Sequence, residues 1–270
     1  MDQPELQIKS GKKRWALKHF RLGASFAALR QVDRMQGARR QSGGMTGKVL
    51  GSFMGKGFFR RKVDSLLGVD INDTAIRLVE LGRSSTGYSV QGYTTQALPA
   101  HAVVDGAVLD IEGVGRALQA ALSRLHTSAR GAAVAVAGPS VITHVIEMDA
   151  GLTDDEMAWM IQMEADQYIP YPLDDVAIDF QVQGPSVQEP ARVQVLLAAC
   201  LKEQVEAREA VLALAGLVAK VVDVEGFALA RACGQDFASF TPGHRVDGAQ
   251  WAVDAPGMGI ACGLALRSFA

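Results

Sequence analysis

The stretch Gly68–Leu81, GVDINDTAIRLVEL, constrains what this chain can fold into more than any other. Val69 and Ile71 precede a polar corner, Asn72-Asp73-Thr74, and Ile76, Leu78 and Leu81 follow it. The pattern predicts strand, tight turn, strand, with Asp70 beside the turn at the end of the first strand. Such a hairpin can turn backbone N–H groups and a hydroxyl toward a phosphate while the carboxylate orients a hydrated metal ion. The same corner also suits a purely structural hairpin, so the rest of the chain has to decide.

Beyond the hairpin, Gly82-Arg-Ser-Ser-Thr-Gly87 reads as a turn and Tyr88–Thr95 as a third strand. Val114, Leu118, Leu122 and Leu125 fall at helical spacing within Ile111–Leu125, and Ala132–Ala137 is a short buried strand. Strands, a helix and another strand predict an α/β layer. Thr153-Asp-Asp-Glu156 is a capping box that opens a helix with Met157, Ile161, Ala165 and Tyr168 on one face, stopped by Pro170 and Pro172. Val176–Val182 alternates as a half-buried strand, and Val193–Ala199 is expected to pair back on it. A helix over Lys202–Ala215, closed by Gly216, and a strand over Val218–Val224 complete the pattern.

Charge is unevenly distributed. Residues 1–62 hold 15 Lys+Arg against 3 Asp+Glu, leaving 12 against 26 for the remainder. Within the first part, Lys12–Arg34 reads as a basic amphipathic helix with Trp15, Phe20, Phe26 and Leu29 on one side, suited to an anionic membrane or nucleic acid. The opposing expectation is that residues 1–53 are a disordered arm or an upstream misreading of the start, since Met54 leads directly into the first strand. Gly51–Gly57 fails as a P-loop, with only three residues between its glycines and Gly57 where Ser or Thr is required. Cys200, Cys233 and Cys262 are far apart in apolar sequence and are expected to be buried, reduced thiols. Five scattered histidines lack partners at metal-binding spacing. Asp154-Asp155 and Asp174-Asp175 read as solvated structural carboxylates, and no apolar run approaches the 18 residues that span a bilayer.

GVDINDTAIRLVEL, EADQYIPYPLDDVAIDFQV (Glu164–Val182) and LLAACLKEQVEAREAVLALAGLVAKVVDVEGFALARA (Leu196–Ala232) together resemble the PilM family of type IV pilus assembly proteins, actin-like ATP-binding proteins related to FtsA. The first motif belongs to the actin-like superfamily at large; the Gln-Tyr-Ile-Pro-Tyr-Pro stretch is much more specific. The resemblance implies an α/β fold: an actin-like (ribonuclease-H-like) first domain with an inserted small α+β subdomain. Residues 54–143 would begin the first domain, 144–219 form the insertion, and 220–234 and 250–270 return to the first domain across a shortened junction, 235–249. Phe237–Phe269 resembles the family's extreme C-terminus, so the second actin-like domain is expected to be largely absent. Gly257–Gly263 is then expected to start a terminal helix packed on the first domain rather than to bind a dinucleotide.

In the family, ATP with Mg lies between two domains, gripped by one hairpin from each. The resemblance places Asp70 as the residue that orients the metal through water, and Asn72, Asp73 and Thr74 in the phosphate-facing turn. With no second hairpin and no adenosine platform, little or no ATP binding is expected. The family also holds the N-terminal cytoplasmic peptide of inner-membrane PilN between the first domain and the insertion, and Tyr168, Ile169 and Tyr171 are groove candidates, though inward packing suits them better. The expectation is a non-enzymatic cytoplasmic scaffold, peripheral at the inner membrane through PilN and other pilus motor components, with no nucleic acid partner. The alternatives are an ATP-dependent actin-like switch, a basic-armed membrane or nucleic-acid binder, and a non-functional, internally deleted variant.

Overall fold

A computed structural model of the chain describes residues 65–85, 87–235 and 239–269. The basic segment 1–53, with its amphipathic stretch, lies outside the described residues.

The expected hairpin forms from β1 (Leu67–Ile71) and β2 (Ala75–Arg83), with Asp70 opposite Arg77. β3 (Tyr88–Ala97) continues antiparallel on β2, while β6 (Gly131–Val136) and β10 (Val218–Val224) add in parallel on the other side of β1. A short parallel strand, β11 (Phe240–Pro242), closes the far edge against β3, giving the order β10-β6-β1-β2-β3-β11. Between β3 and β6, a two-residue hairpin of β4 (Val103–Val104) and β5 (Ala107–Val108) leads into helix α1 (Ile111–Leu125). Asp110 caps α1 by accepting from the Gly113 N–H at 2.8 Å.

Strand alternation sends side chains to two covered faces. On one, Leu67, Val69, Ile71, Ala132, Val134 and Val136 pack with Val114 and Leu118 of α1. On the other, Ala133 and Ala135 meet Ala228 of helix α4 (Glu225–Cys233) and Leu264 of helix α6 (Gly259–Ala265). Toward β3 the same face carries Val79, Leu81, Val90 and Phe240, with Trp251 from helix α5 (Gly248–Asp254). The expected terminal helix therefore exists and lies on this sheet. It lies unusually close: a Cβ at Gly68 would sit 2.0 Å from the Ala261 carbonyl oxygen, and one at Gly263 would sit 1.8 Å from that of Ala228.

A second, three-stranded sheet is ordered β7-β9-β8. Its strands are β7 (Val141–Asp149), β8 (Val176–Pro185) and β9 (Arg192–Leu201), all antiparallel, with helix α2 (Asp154–Glu164) on one face. Met157 and Ile161 of α2 pack on Met148, Val195 and Leu197. The capping box forms as expected: the Glu156 amide donates to the Thr153 hydroxyl while the Glu156 carboxylate accepts from the Thr153 amide.

Three expectations need correction. β7 is an element that sequence periodicity did not mark, because Thr143 and His144 interrupt its apolar residues. α2 ends at Glu164, four residues short of Tyr168; a 3-10 turn over Ala165–Gln167 follows, and the Tyr168 and Ile169 amides both donate to the Ala165 carbonyl. Helix α3 (Lys202–Leu214), within the span 144–219 expected for the insertion, sends Val205, Val211 and Leu212 into the core formed with β1, β6, β10 and α1, which Ala177, Ala198 and Cys200 of the second sheet join as well. The second sheet with its helix occupies 141–201. Finally, Cys233 is exposed, whereas Cys200 and Cys262 are buried, which pushes each of those two thiols up to about 12.

The close approach of α6 makes a direct prediction. Gly263→Ala should lower stability by roughly 2–3 kcal/mol, because backbone rather than a flexible side chain opposes the added methyl. Gly226→Ala, on α4 with open space around it, should be neutral or stabilising by roughly 0.5–1 kcal/mol. Urea unfolding of the two variants checks both signs.

Candidate functional site

The β1–β2 corner is held by its own side chains. Asn72 Oδ1 accepts from the Thr74 amide, the Thr74 hydroxyl and the Ala75 amide, each at 3.0 Å. This is an Asx-type turn, in which a short side chain supplies the acceptor that a backbone carbonyl otherwise would. Asp73 is exposed but committed, its carboxylate accepting from the Asp105 amide at 3.2 Å and the Gly106 amide at 3.0 Å. It thereby ties the corner to the β4–β5 hairpin.

Arg208 supports that hairpin from beneath. It is fully buried on α3, and its guanidinium donates to the Gly106 carbonyl at 2.7 Å, to the Ala135 carbonyl at 2.6 Å and to the Gln204 carbonyl at 2.8 Å. A buried guanidinium is stable only when its donors are met, and three main-chain carbonyls on separate elements meet them. In sequence Arg208 looks like any surface residue of a charged helix.

Asp70 is 2% exposed. Its Oδ2 lies 3.3 Å from Arg77 Nη1, while its buried Oδ1 has no hydrogen-bond partner among the described residues. Burial raises the Asp70 pKa, with Arg77 opposing. Glu225, at the start of α4, faces the same space: its pKa is raised by burial and then by the neighbouring Asp70, and its Oε2 accepts from the Gly138 amide at 3.4 Å. Asp73 adds to the same negative field, and Arg208 opposes it. Sequence reading missed Glu225, which lies far from Asp70 along the chain and reaches it only because β10 and β1 flank β6; its position at the end of a buried strand was the available signal.

The candidate residues therefore come together unequally. Asp70, Asp73 and Glu225 form one acidic cluster at the ends of β1 and β10. Among the described residues no group of three or more carboxylate, histidine or cysteine side chains is placed to hold a metal ion directly, so a divalent cation at the orphaned Asp70 oxygen would be held through its own water shell. A phosphate is a different matter, because the Thr74 and Ala75 donors already serve Asn72 and would have to leave it. Without rearrangement the corner does not offer these two donors to a phosphate.

The groove candidates separate as well. Ile169 is 3% exposed in the core beneath the second sheet, with Ala165, Val176 and Ala199. Tyr168 is half-buried, its ring 5.5 Å from that of His144 on β7. Tyr171 is 46% exposed, the most open of the three.

A family model described as type IV pilus assembly protein PilM matches residues 68–239. In a solved PilM–PilN type IV pilus biogenesis complex, one chain is similar to this one at 29% identity and a TM-score of 0.57, covering 63% of this chain and 50% of that one. The cytoplasmic domain of EpsL, an inner-membrane component of the type II secretion system of Vibrio cholerae, is matched at 16% identity and a TM-score of 0.41, over 61% of this chain and 58% of that one. The described residues thus form an actin-like α/β domain carrying a small inserted sheet. The chain belongs to the PilM family of type IV pilus assembly proteins. It spans 50% of the length of the PilM chain that it matches.

The raised carboxyls give a signed pH prediction. Folded Asp70 and Glu225 hold their protons above the ordinary 3.8 and 4.5, so their contribution favours folding at low pH and is lost as pH rises through the raised values. Glu225→Gln should therefore be more stable than the parent at pH 7, with the difference vanishing below pH 4. Thermal unfolding at the two pH values measures it.

Proposed function

We propose that this protein is a cytoplasmic scaffold of type IV pilus assembly that docks the N-terminal segment of PilN between the main sheet and the inserted one. The observation that carries this reading is the likeness to the chain of a PilM–PilN complex at 29% identity. The domain that would supply both groove walls is built: Ala177, Ala198 and Cys200 of the second sheet join the main core, which fixes the two sheets against each other. An extended peptide entering such a groove gains main-chain pairing and side-chain pockets without needing a reacting group. The exposure of Tyr171 supports assigning it as a contact in this reading.

No chemical step is assigned to the chain. The corner's occupied donors support weak or absent ATP binding, and the scaffold role then does not depend on nucleotide. A second reading, an ATP-dependent switch, is favoured by one observation, the orphaned Asp70 oxygen beside Glu225. Among the described residues no helix is long and apolar enough to cross a membrane, and attachment at the inner membrane would come through PilN.

Calorimetric titration of the full chain with the N-terminal PilN peptide, with and without Mg-ATP, separates these readings. Binding that changes less than about twofold on adding Mg-ATP supports the scaffold, while a tenfold change, worth about 1.4 kcal/mol, supports the switch. Absence of peptide binding by a chain with a cooperative unfolding transition overturns both.

A further inference from the structure

Residues 141–201, the inserted sheet and its helix, hold 11 Asp+Glu and a single Arg, with no Lys. A surface of one sign on so small a unit repels acidic partners and anionic membranes and attracts cations. The far end of this unit, away from the main sheet, carries an open groove of about 620 Å³. Met148, Met160 and Tyr168 supply its apolar lining, and Glu147, Glu164 and Glu189 its charge. The Arg192 guanidinium, at the same place, is turned onto the Glu147 carbonyl, and the Glu147 carboxylate accepts from a neutral donor, the Ser186 hydroxyl, at 2.6 Å.

Two further features make this a docking surface. β7 borders the groove and among the described residues pairs with β9 alone, which leaves its other edge to an extended segment. α2 is apolar on two sides: Met157 and Ile161 face the core, while Trp159 and Met163, one turn apart, are 63% and 66% exposed. An apolar stripe rimmed by carboxylates calls for a segment that interleaves aromatic and basic residues.

The chain itself carries such a segment. Lys12–Arg34 has seven Lys+Arg against one Asp, with Trp15, Phe20, Phe26 and Leu29 among them. We propose that this basic segment docks in cis on the β7–α2 groove of the inserted sheet. Reach is sufficient: the 30 residues from 35 to 64 extend to roughly 100 Å. The route from β1 to the far end of the second sheet is about 50 Å, from the lengths of the strands between them. The proposal rests on charge and surface within this chain and not on the pilus reading.

Hydrogen exchange of the full chain tests it against a variant neutralised in the segment alone, Lys12→Gln, Lys13→Gln, Arg14→Gln and Lys18→Gln. Amides of β7 and α2 should exchange at least about fivefold faster in the variant, and in the parent at 0.5 M salt, where screening is strong; those of β6 and β10 should not change. Carbodiimide cross-linking of the parent should join Lys12, Lys13 or Lys18 to Glu147, Glu164 or Glu189. Equal exchange in parent and variant, or cross-links only to other carboxylates, overturns the proposal. Protection that fades on tenfold dilution places a second copy's segment in the groove and overturns the cis assignment.

Discussion

Asp223 is a carboxylate with no exposed surface, and the second face of the main sheet closes around it. Its Oδ2 lies 2.9 Å from Arg231 Nη2 on α4 and 3.7 Å from Arg267 Nε beyond α6, while its Oδ1 accepts from the Val224 amide. Arg231 also donates to the Gly263 carbonyl at 3.0 Å. One buried charge on β10 therefore fixes α4, α6 and the final turn together. Such a group adds little net stability over an apolar core, but removing one partner leaves a buried charge uncompensated at a cost of about 3–5 kcal/mol. The interaction thus dictates the arrangement more than it strengthens it. The contacts at Gly68 and Gly263 act in the same direction, since only backbone on backbone allows α6 to sit low enough for Arg231 to reach its carbonyl.

The candidate site inherits its geometry from this closure. Glu225 is the first residue of α4, so whatever fixes α4 fixes the distance between its carboxyl and Asp70. From the other side, Arg208 fixes the Gly106 carbonyl, Gly106 holds Asp73, and Asp73 ties down the corner that follows Asp70. Two buried arginines, one under each face of the sheet, thus position an acidic cluster that neither of them touches. Burial, and then repulsion from Asp70, raises the Glu225 pKa.

Much of this was legible in the sequence where local pattern and tertiary role agree. The hairpin, α1, β10 and the Thr153–Glu156 capping box are each set by neighbours a few residues apart, and each formed where expected. β7 was not legible because its Thr143 and His144 break the alternation that marks a half-buried strand; its pairing with β9 makes it a strand. Arg208 was not singled out, since nothing nearby in sequence announces the Gly106 and Ala135 carbonyls that it reaches across the fold. At the site, Asp70 and its corner were visible because they form one turn. Glu225 was not, because only the parallel register of β10 on β6 and β6 on β1 brings it to them.

The same register bears on how the chain is made. The Leu66 amide donates to the Ser268 hydroxyl at 2.8 Å, so the start of β1 is bonded to the last turn of the described chain. A ribosome delivers β1, β2 and β3 early, and these can pair as local hairpins at once. The face that carries Gly68, Val79 and Leu81 nevertheless waits for Ala232 of α4, Trp251 of α5 and finally Ala261 and Cys262 of α6, all made late. During most of synthesis that apolar surface stands open, and a chain waiting in this state is exposed to aggregation. Among the described residues the first strand is thus covered by the last helix, so the interval between making β1 and making α6 sets how long that surface needs protection.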